Sequence, residues 1–317
     1  MHLIDAATID RVLGYNDLAD RLREAFRADS DVPVRSHFTI PTPDGSPGTL
    51  LIMPAWHSGG HIGIKIVSVF PDNPARHLPS VVGIVLLLDA TTGMPLAQLD
   101  GPALTVRRTA AASLLAADHL ARDDASRLLV VGTGGLAPHL ALAHSGRRPI
   151  RAIRVWGRDP LRAAALATRL AAERPGVAVE STADLEAAAA WADIITCATL
   201  ARTPLIQGHW LRPGCHLDLV GGFTPAMREA DDVAIRRARV FVDTRAGAMA
   251  EAGDIVQPLA SGALTPDGIV GDLFDLTRSR VKGRATAEEI TLFKSVGTAL
   301  EDLAAAELAL ERAAVMG

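Results

Sequence analysis

A glycine-rich turn at residues 132–135 constrains the fold of this chain more than any other stretch. The apolar run 128–131 ends in Gly132-Thr133-Gly134-Gly135, and a helix-compatible stretch begins at Leu136. A strand, a tight glycine turn and a helix in this order form the phosphate-binding corner of a dinucleotide-binding βαβ unit. The start of such a helix offers backbone N–H groups and a positive dipole end to phosphates. The alternative is a plain βα turn that binds no nucleotide.

The segments after residue 127 alternate between strand-like and helical patterns. Strand-like runs lie at 127–132, 151–157, 177–180, 193–198, 215–220 and 239–243, separated by alanine-rich helical segments such as 160–173 and 183–191. Six strands that alternate with helices predict an α/β fold with a doubly wound, parallel Rossmann sheet. Candidate cofactor contacts are the turn residues Gly132, Thr133, Gly134, Gly135 and Leu136, with Ala198, Thr199 and Val220 at later strand ends.

The first hundred residues follow a different pattern. An amphipathic helix pattern covers residues 1–30, strand candidates lie at 34–38, 49–54, 61–69, 81–89 and 96–99, and a helical pattern covers 103–120. Consecutive strands without intervening helices predict an α+β domain with an antiparallel sheet. Residues 286–315 are predicted to form one long helix, opened by a capping sequence at Thr286. We therefore expect a domain at 1–115, to which a C-terminal helix at 292–317 returns, and a Rossmann domain at 116–291.

Composition excludes several classes of protein. The net charge of −4 gives no basic surface for nucleic acid, and no uncharged apolar run reaches the length of a membrane span. Two cysteines cannot form a disulfide framework, and the histidines show no metal-ligand spacing. We expect a soluble, cytoplasmic protein without a metal site. The edge strands of an antiparallel sheet carry unpaired backbone N–H and C=O groups that another chain can cover. We therefore also predict a homodimer formed through the first domain.

Lys65 is a candidate site residue because lysine is rare in this chain. Only three of the 32 basic residues are lysines, and lysine can change its protonation state where arginine cannot. Strand alternation puts Ile62, Ile64 and Ile66 on one face and Lys65 on the other. Lys65 therefore either faces water on an open sheet face or binds an anion in a site.

Arg158 and Asp159 follow the second Rossmann strand and bear on the choice of cofactor. An acidic residue directly at this strand end would bind the ribose 2′-hydroxyl of NAD, but that place is Gly157, followed by Arg158. A guanidinium suits the 2′-phosphate of NADP. Asp159 lies one residue later and could bind the ribose hydroxyl, so NAD remains an alternative cofactor. Asp159 is also placed to cap the next helix. NADPH is therefore favoured, with NADH as the alternative.

Several motifs resemble those of the ornithine cyclodeaminase/μ-crystallin family across essentially the whole chain. They are residues 63–74 around Lys65, Arg108-Thr109-Ala110-Ala111, the Gly132 turn and Phe293-Lys294-Ser295-Val296-Gly297, in this order. The resemblance implies that Arg35, Lys65 and Arg108 surround a substrate carboxylate and that Thr109 helps bind cofactor phosphate. It also implies that Ser295, Val296 and Gly297 line the nicotinamide end of the site. Arg107 is the less favoured of the two tandem arginines, because the family motif places arginine directly before threonine.

Phe223 is a departure from the cyclodeaminase pattern. Cyclodeaminases of this family carry an aspartate after the Gly-Gly that ends the fifth strand, whereas here Gly221-Gly222 is followed by Phe223. A phenyl ring cannot shuttle protons. The segment is similar to the Δ1-pyrroline-2-carboxylate reductases of the family. The resemblance thus implies reduction of a cyclic imino acid with NAD(P)H, giving L-proline or L-pipecolate, with Phe223 in the substrate site.

Three alternatives remain at the sequence level. The first is an ornithine cyclodeaminase, a lyase that uses NAD catalytically. The second is a protein that binds NADP and a small ligand without turnover, as μ-crystallin does in part. The third, less favoured, is a reductase or dehydrogenase of open-chain substrates.

Overall fold

Two sheets, one mostly antiparallel and one parallel, organise the chain. The computed structural model describes residues 1–43 and 45–316. The strands are β1 (His2–Ile4), β2 (Ser36–Ile40), β3 (Gly48–Trp56), β4 (His61–Val69), β5 (Val81–Asp89), β6 (Pro95–Asp100), β7 (Arg127–Val131), β8 (Ala152–Trp156), β9 (Ala178–Ser181), β10 (Ile194–Cys197), β11 (His216–Leu219), β12 (Ala238–Val242), β13 (Ile269–Asp272) and β14 (Ile290–Lys294). The helices are α1 (Ala6–Val12), α2 (Tyr15–Arg27), α3 (Gly101–Leu120), α4 (Ala137–Arg147), α5 (Pro160–Glu173), α6 (Leu185–Trp191), α7 (Asp232–Arg237), α8 (Arg245–Glu251), α9 (Gly253–Ser261), α10 (Leu273–Thr277) and α11 (Ala299–Met316).

The chain divides into two compact units. Unit 1 comprises Met1–Thr109 and the C-terminal residues from Thr298, and unit 2 comprises Ala110–Gly297. The first boundary falls within α3, six residues before the predicted one, and the second falls six residues after the predicted start of the C-terminal helix. Over residues 1–43 and 45–316, no helix has the length and apolar character needed to cross a membrane.

Unit 1 is built on a six-stranded sheet in the order β1-β6-β5-β4-β3-β2. The predicted antiparallel meander is confirmed, whereas the short strand β1, parallel to β6, was not predicted. Helix α11 packs across β3 and β4 and against α2. On β4 the side covered by α11 carries Lys65, which is buried, while Ile64 and Ile66 point to the other, half-exposed face. Lys65 therefore does not face water on an open sheet.

Unit 2 contains an eight-stranded, fully parallel sheet in the order β13-β12-β14-β11-β10-β7-β8-β9. The six predicted strands and the doubly wound α/β class are confirmed. The central strands β7 and β10 are apolar and buried on both faces, which explains why continuous apolar runs located them, whereas the edge strand β9 is mostly exposed.

The prediction of one helix over residues 286–315, and of a C-terminal helix from residue 292, was wrong. Residues Ile290–Lys294 form β14, all five of them buried between β11 and β12, and α11 begins only at Ala299. The capping contact is real, since Glu289 N–H donates to Thr286 Oγ1 at 3.2 Å, but the turn it closes leads into a strand. A short apolar run fits a buried strand as well as a helix, so periodicity alone could not separate the two.

The carboxyl ends of the central strands lie at one edge of the parallel sheet. Val131 of β7 pairs with Trp156 of β8 on one side and with Cys197 of β10 on the other, and Cys197 pairs with Leu219 of β11. The chain moves outward from β7 to β9 and then returns to β10. This reversal of strand order opens the crevice in which doubly wound sheets bind ligands.

Candidate active site

A cleft of about 600 Å³ opens at this edge of the parallel sheet. Its walls include the predicted residues Gly132, Thr133, Gly134, Arg158, Asp159, Ala198 and Thr199. Gly132 has φ of 120°, and a Cβ there would lie 2.6 Å from the carbonyl oxygen of Ala198. Only glycine fits this position, so the turn after β7 can pack directly against the loop after β10.

The glycine turn fits a dinucleotide. A Cβ at Gly134 or Gly135 would meet no atom within 4 Å, so a ligand can approach the backbone there. Leu136 directly precedes α4, so the positive end of the α4 dipole lies at this turn, although the N–H of Ala137 donates to the Gly134 carbonyl at 3.1 Å and Pro138 has no N–H. Backbone donors and the positive end of a helix dipole are the groups that bind pyrophosphate.

Arg158 and Asp159 have different surroundings in the cleft. Asp159 caps α5, with its Oδ1 accepting hydrogen bonds from the N–H groups of Leu161 at 2.9 Å and Arg162 at 3.3 Å. Two further arginines, Arg162 and Arg202, line the same cleft as Arg158. This part of the cleft therefore combines three guanidinium groups with a carboxylate already engaged by a helix.

A buried cluster of charged side chains lies in unit 1. The ammonium of Lys65 is 3.2 Å from Asp302 Oδ1, and the same oxygen accepts a hydrogen bond from Arg108 Nε at 2.9 Å. Arg108 Nη1 donates to Glu301 Oε2 at 2.7 Å. Lys65 and Arg108 are only 5% and 4% exposed, and Glu301 and Asp302 are 0% and 1% exposed. Two cations are thus paired with two carboxylates away from water.

The protonation of this cluster follows from burial and from the number of neighbouring charges. Burial lowers the pKa of Lys65 to about 8, because its one anionic partner Asp302 is opposed by the nearby cations Arg108 and Arg35. Burial acts to raise the pKa of Asp302, but Arg108 and Lys65 together bring it below its ordinary value. Asp302 therefore stays ionised, whereas Lys65 can exchange a proton near neutral pH.

The remaining predicted residues of unit 1 lie close to this cluster or serve other contacts. Arg35 directly precedes β2, and its Nη1 is 3.8 Å from the sulfur of Met53, the residue paired with Lys65 across β3 and β4. Thr109 follows Arg108 on α3 and is buried. Arg107 instead donates to Asp10 at 2.8 Å and to the carbonyl of Leu13 at 2.6 Å, so it anchors α1.

The predicted residues at the ends of β11 and β14 belong to unit 2. Val220 is nearly buried, whereas Phe223, three residues later, is 47% exposed. The carboxylate of Asp243 holds the segment after β14, since its Oδ2 accepts from Ser295 Oγ at 3.0 Å, Val296 N at 2.7 Å and Gly297 N at 2.6 Å. This loop has a conformation fixed by three hydrogen bonds to one oxygen.

Glu301, Asp302 and Asp243 were missed by the sequence analysis. Glu301 and Asp302 lie in the first turn of α11, where acidic residues are favoured by the helix dipole. That signal was obscured because the helix was predicted to start before residue 298. Asp243 ends a predicted strand, and nothing local distinguishes it from a helix-capping aspartate.

The fold and the cleft define a protein with a dinucleotide-binding Rossmann unit. The chain belongs to the ornithine cyclodeaminase/μ-crystallin family, whose model matches residues 2–316.

The chain is similar to named reductases and to one dehydrogenase. The chain is 41% identical over 300 residues to a Δ1-pyrroline-2-carboxylate reductase of Paracoccus denitrificans, covering 92% of this chain and 93% of the relative. It resembles the structure of the Thermococcus litoralis Δ1-pyrroline-2-carboxylate reductase in complex with NADH and L-proline, with a TM-score of 0.93, 32% identity and coverage of 100% and 98%. An archaeal alanine dehydrogenase dimer with bound NAD gives a TM-score of 0.91, 26% identity and coverage of 100% and 97%.

Asp302→Ala should lower the free energy of unfolding by about 3–5 kcal/mol, because it leaves buried cations without their shared carboxylate. Urea denaturation measures this change. Glu311→Ala on the same helix is the matched control: it breaks the partly exposed pair with Arg21 and should cost less than about 1 kcal/mol. Equal losses for the two variants would contradict the assignment of Asp302 to a buried ionic cluster.

Proposed function

We propose that the protein reduces a cyclic ketimine acid, Δ1-pyrroline-2-carboxylate or its six-membered analogue Δ1-piperideine-2-carboxylate, to L-proline or L-pipecolate with a nicotinamide cofactor. The observation that carries this proposal is the charge of the cluster in unit 1. Lys65, Arg108 and Arg35 are three cations against the two carboxylates of Glu301 and Asp302. Guanidinium and ammonium groups gathered in this way are suited to bind the carboxylate of a small substrate.

Different residues of unit 1 bind the substrate carboxylate and supply the proton to the ring nitrogen in this proposal. Arg35 and Arg108 are suited to hold the carboxylate, because a guanidinium keeps its charge at every working pH. Lys65 ammonium is suited to give a proton to the ring nitrogen, because its pKa of about 8 lies near neutrality. A bound dihydronicotinamide would supply the hydride for C2 of the imine, and with the proton on the ring nitrogen the C=N bond would become CH–NH.

Phe223 favours reduction over the lyase reaction. Release of ammonia from ornithine needs a group that takes and returns protons at the amine, which a phenyl ring cannot do. Reduction of a preformed imine produces no ammonia and needs no such group. The reductase relatives, one of them bound to NADH and L-proline, support the same choice.

The purified protein should oxidise NADPH or NADH when given the five- or six-membered cyclic imine, and should release no ammonia from L-ornithine with any nicotinamide cofactor. Cofactor absorbance and an ammonia assay, run on the same preparation, measure the two reactions. Steady ammonia release from ornithine would contradict the proposal, as would cofactor binding without turnover of either imine.

The rate of imine reduction should depend on the protonation of Lys65. Since its pKa is lowered to about 8, the ammonium is present below that pH and lost above it, so kcat/KM should be constant below about 8 and decrease above it. Lys65→Met should lower kcat/KM by at least ~100-fold and remove this decrease. Lys282→Met, at an exposed lysine, is the control and should behave as the unmodified protein. An unmodified protein with no decrease up to pH 9.5 would exclude this role.

NADPH is the proposed preferred cofactor, with NADH as the alternative. Arg158, Arg162 and Arg202 line one cleft, while Asp159, the acidic group that could bind a ribose hydroxyl, caps α5. Guanidinium groups form strong, charge-assisted hydrogen bonds with phosphate. The relatives bound to NADH and NAD make the unphosphorylated cofactor the competing choice.

Arg158→Ala should raise KM for NADPH by about 10-fold or more and KM for NADH by less than about 2-fold, since only NADPH carries the 2′-phosphate. Initial rates with each cofactor measure the difference. Arg151→Ala provides the control, because Arg151 is exposed just before β8, at the opposite edge of the sheet. An equal change for both cofactors would show that Arg158 does not contact the 2′-phosphate.

A homodimer formed through unit 1 is also proposed. The sheet face opposite α11 carries Ile52, Ile64, Ile66, Ile84 and Leu86, which lie side by side in the strand register and are only half-buried. A continuous apolar face of this kind is typical of a protein–protein interface. The archaeal alanine dehydrogenase of similar structure is a dimer, which supports a dimeric state for this chain but not a particular interface.

A further inference from the structure

A second buried ionic network lies in unit 2. Lys294, the last residue of β14, is fully buried, and its ammonium is 3.0 Å from Oδ2 of Asp254 on α9. The other oxygen of Asp254 accepts hydrogen bonds from the backbone N–H groups of Glu229 at 2.8 Å and Ala230 at 3.2 Å. Lys294 and Asp254 thus fix the backbone that carries the Glu229 side chain.

The carboxylate of Glu229 joins two loops. Oε1 accepts from both the N–H and the hydroxyl of Thr199, at 2.7 and 2.8 Å, in the loop after β10. Oε2 accepts from the N–H groups of Gly221 at 2.8 Å and Gly222 at 3.4 Å, in the loop after β11. Glu229 itself is fully buried. Its carboxylate therefore has no direct access to a ligand and acts on the loops.

One of these loops forms a wall of the nucleotide cleft. Thr199 and its neighbours Ala198 and Leu200 line the cleft, and the backbone carbonyl of Glu229 holds Leu205 of the same wall at 2.9 Å. The second loop is packed against the first so closely that a Cβ at Gly221 would lie 2.1 Å from the carbonyl oxygen of Thr199. The position of the cleft wall consequently depends on the hydrogen bonds to Glu229.

We propose that Glu229, held by Lys294 and Asp254, is a positioning residue that fixes the loops after β10 and β11 in the conformation that binds the nicotinamide cofactor, and does so only when its carboxylate is ionised. The proposal rests on the use of this cleft by the cofactor of the proposed reduction. It assigns Glu229 no contact with the cofactor or the imine.

The dependence on ionisation follows from the hydrogen bonds. Oε2 faces only backbone N–H groups, which cannot accept, so a proton on Oε2 displaces one of them. A proton on Oε1 ends the hydrogen bond that the Thr199 hydroxyl donates to that oxygen. Burial raises the pKa of Glu229 to about 7; Lys294 opposes this rise, and Asp254 adds to it. Cys197 at the end of β10 is the other titratable group close by, and burial raises its pKa well above the ordinary value, so it stays neutral. Lowering the pH through 7 should therefore loosen the loops.

Glu229→Gln tests the proposal, because it keeps the shape of the side chain but removes its charge at every pH. The dissociation constants of NADH and NADPH are measured by dihydronicotinamide fluorescence without imine. At pH 8.5 the variant should bind each about 10-fold more weakly than the unmodified protein, the effect of one lost charged hydrogen bond. The unmodified protein should lose affinity as the pH falls to 6, and the variant should show no such change.

A role in cofactor binding alone also predicts a split in the kinetics. With saturating cofactor, kcat for the imine should change by less than about 3-fold, while KM for the cofactor rises with its dissociation constant. Glu186→Gln, at an exposed position in the first turn of α6, is the matched control and should alter neither value. Unchanged cofactor affinity in Glu229→Gln, or affinity that increases as the pH falls, would overturn the proposal.

Thr199→Val keeps the test decisive if Glu229→Gln does not fold. It removes one hydroxyl donor to Glu229 at a half-buried position and should weaken cofactor binding about 3-fold at pH 8.5. Unchanged affinity in that variant would count against the proposal. pH-dependent cofactor binding without imine turnover would refute only the proposed reaction. Imine turnover with unchanged cofactor affinity in the variants would refute only the role of Glu229.

Discussion

A lysine ammonium on the buried face of β4 would cost several kcal/mol without a partner, on the scale of burying an isolated ion. Helix α11 removes most of that cost by placing Asp302 3.2 Å from Lys65, and Arg108 shares the same carboxylate. The requirement explains why the C-terminal helix belongs to unit 1 although the whole of unit 2 separates it in sequence. The fold of unit 1 and the charge of its site therefore depend on one set of ion pairs.

The parts of the fold that the sequence predicted are those determined by neighbours along the chain. The turn at Gly132 was predictable because its backbone conformation excludes other residues, and central strands such as β7 and β10 were predictable because each is a short apolar run with clear ends. Strand β14 was not, since the acidic residues before it match a helix start and its apolar residues fit either structure. Its assignment depends on β11 and β12, which lie far away in sequence.

The residues of the candidate site also fall into two groups, those that the sequence indicated and those that it did not. Lys65 could be selected as a candidate because lysine is rare here and alternation puts it opposite three isoleucines. Its partner Asp302 lies 237 residues away, and that pairing has no local signature. The resemblance to the family pointed to Ser295 and Gly297, but not to Asp243, which holds both of them. The residues proposed to bind ligands lie in motifs along the chain, whereas the carboxylates that contact them are recognisable only after folding.

Buried carboxylates have different partners in the two units, side-chain cations in unit 1 and mainly backbone N–H groups in unit 2. In unit 1, Glu301 and Asp302 form ion pairs with Arg108 and Lys65 and so stabilise these cations away from water. In unit 2, Glu229 and Asp243 accept hydrogen bonds from backbone N–H groups and so order loops at the edge of the parallel sheet. A carboxylate screened from water is a strong acceptor, and the same burial raises the pKa of Glu229 to about 7. The proposed role of Glu229 therefore confines the ordered arrangement of the loops after β10 and β11 to the pH range in which this carboxylate is charged.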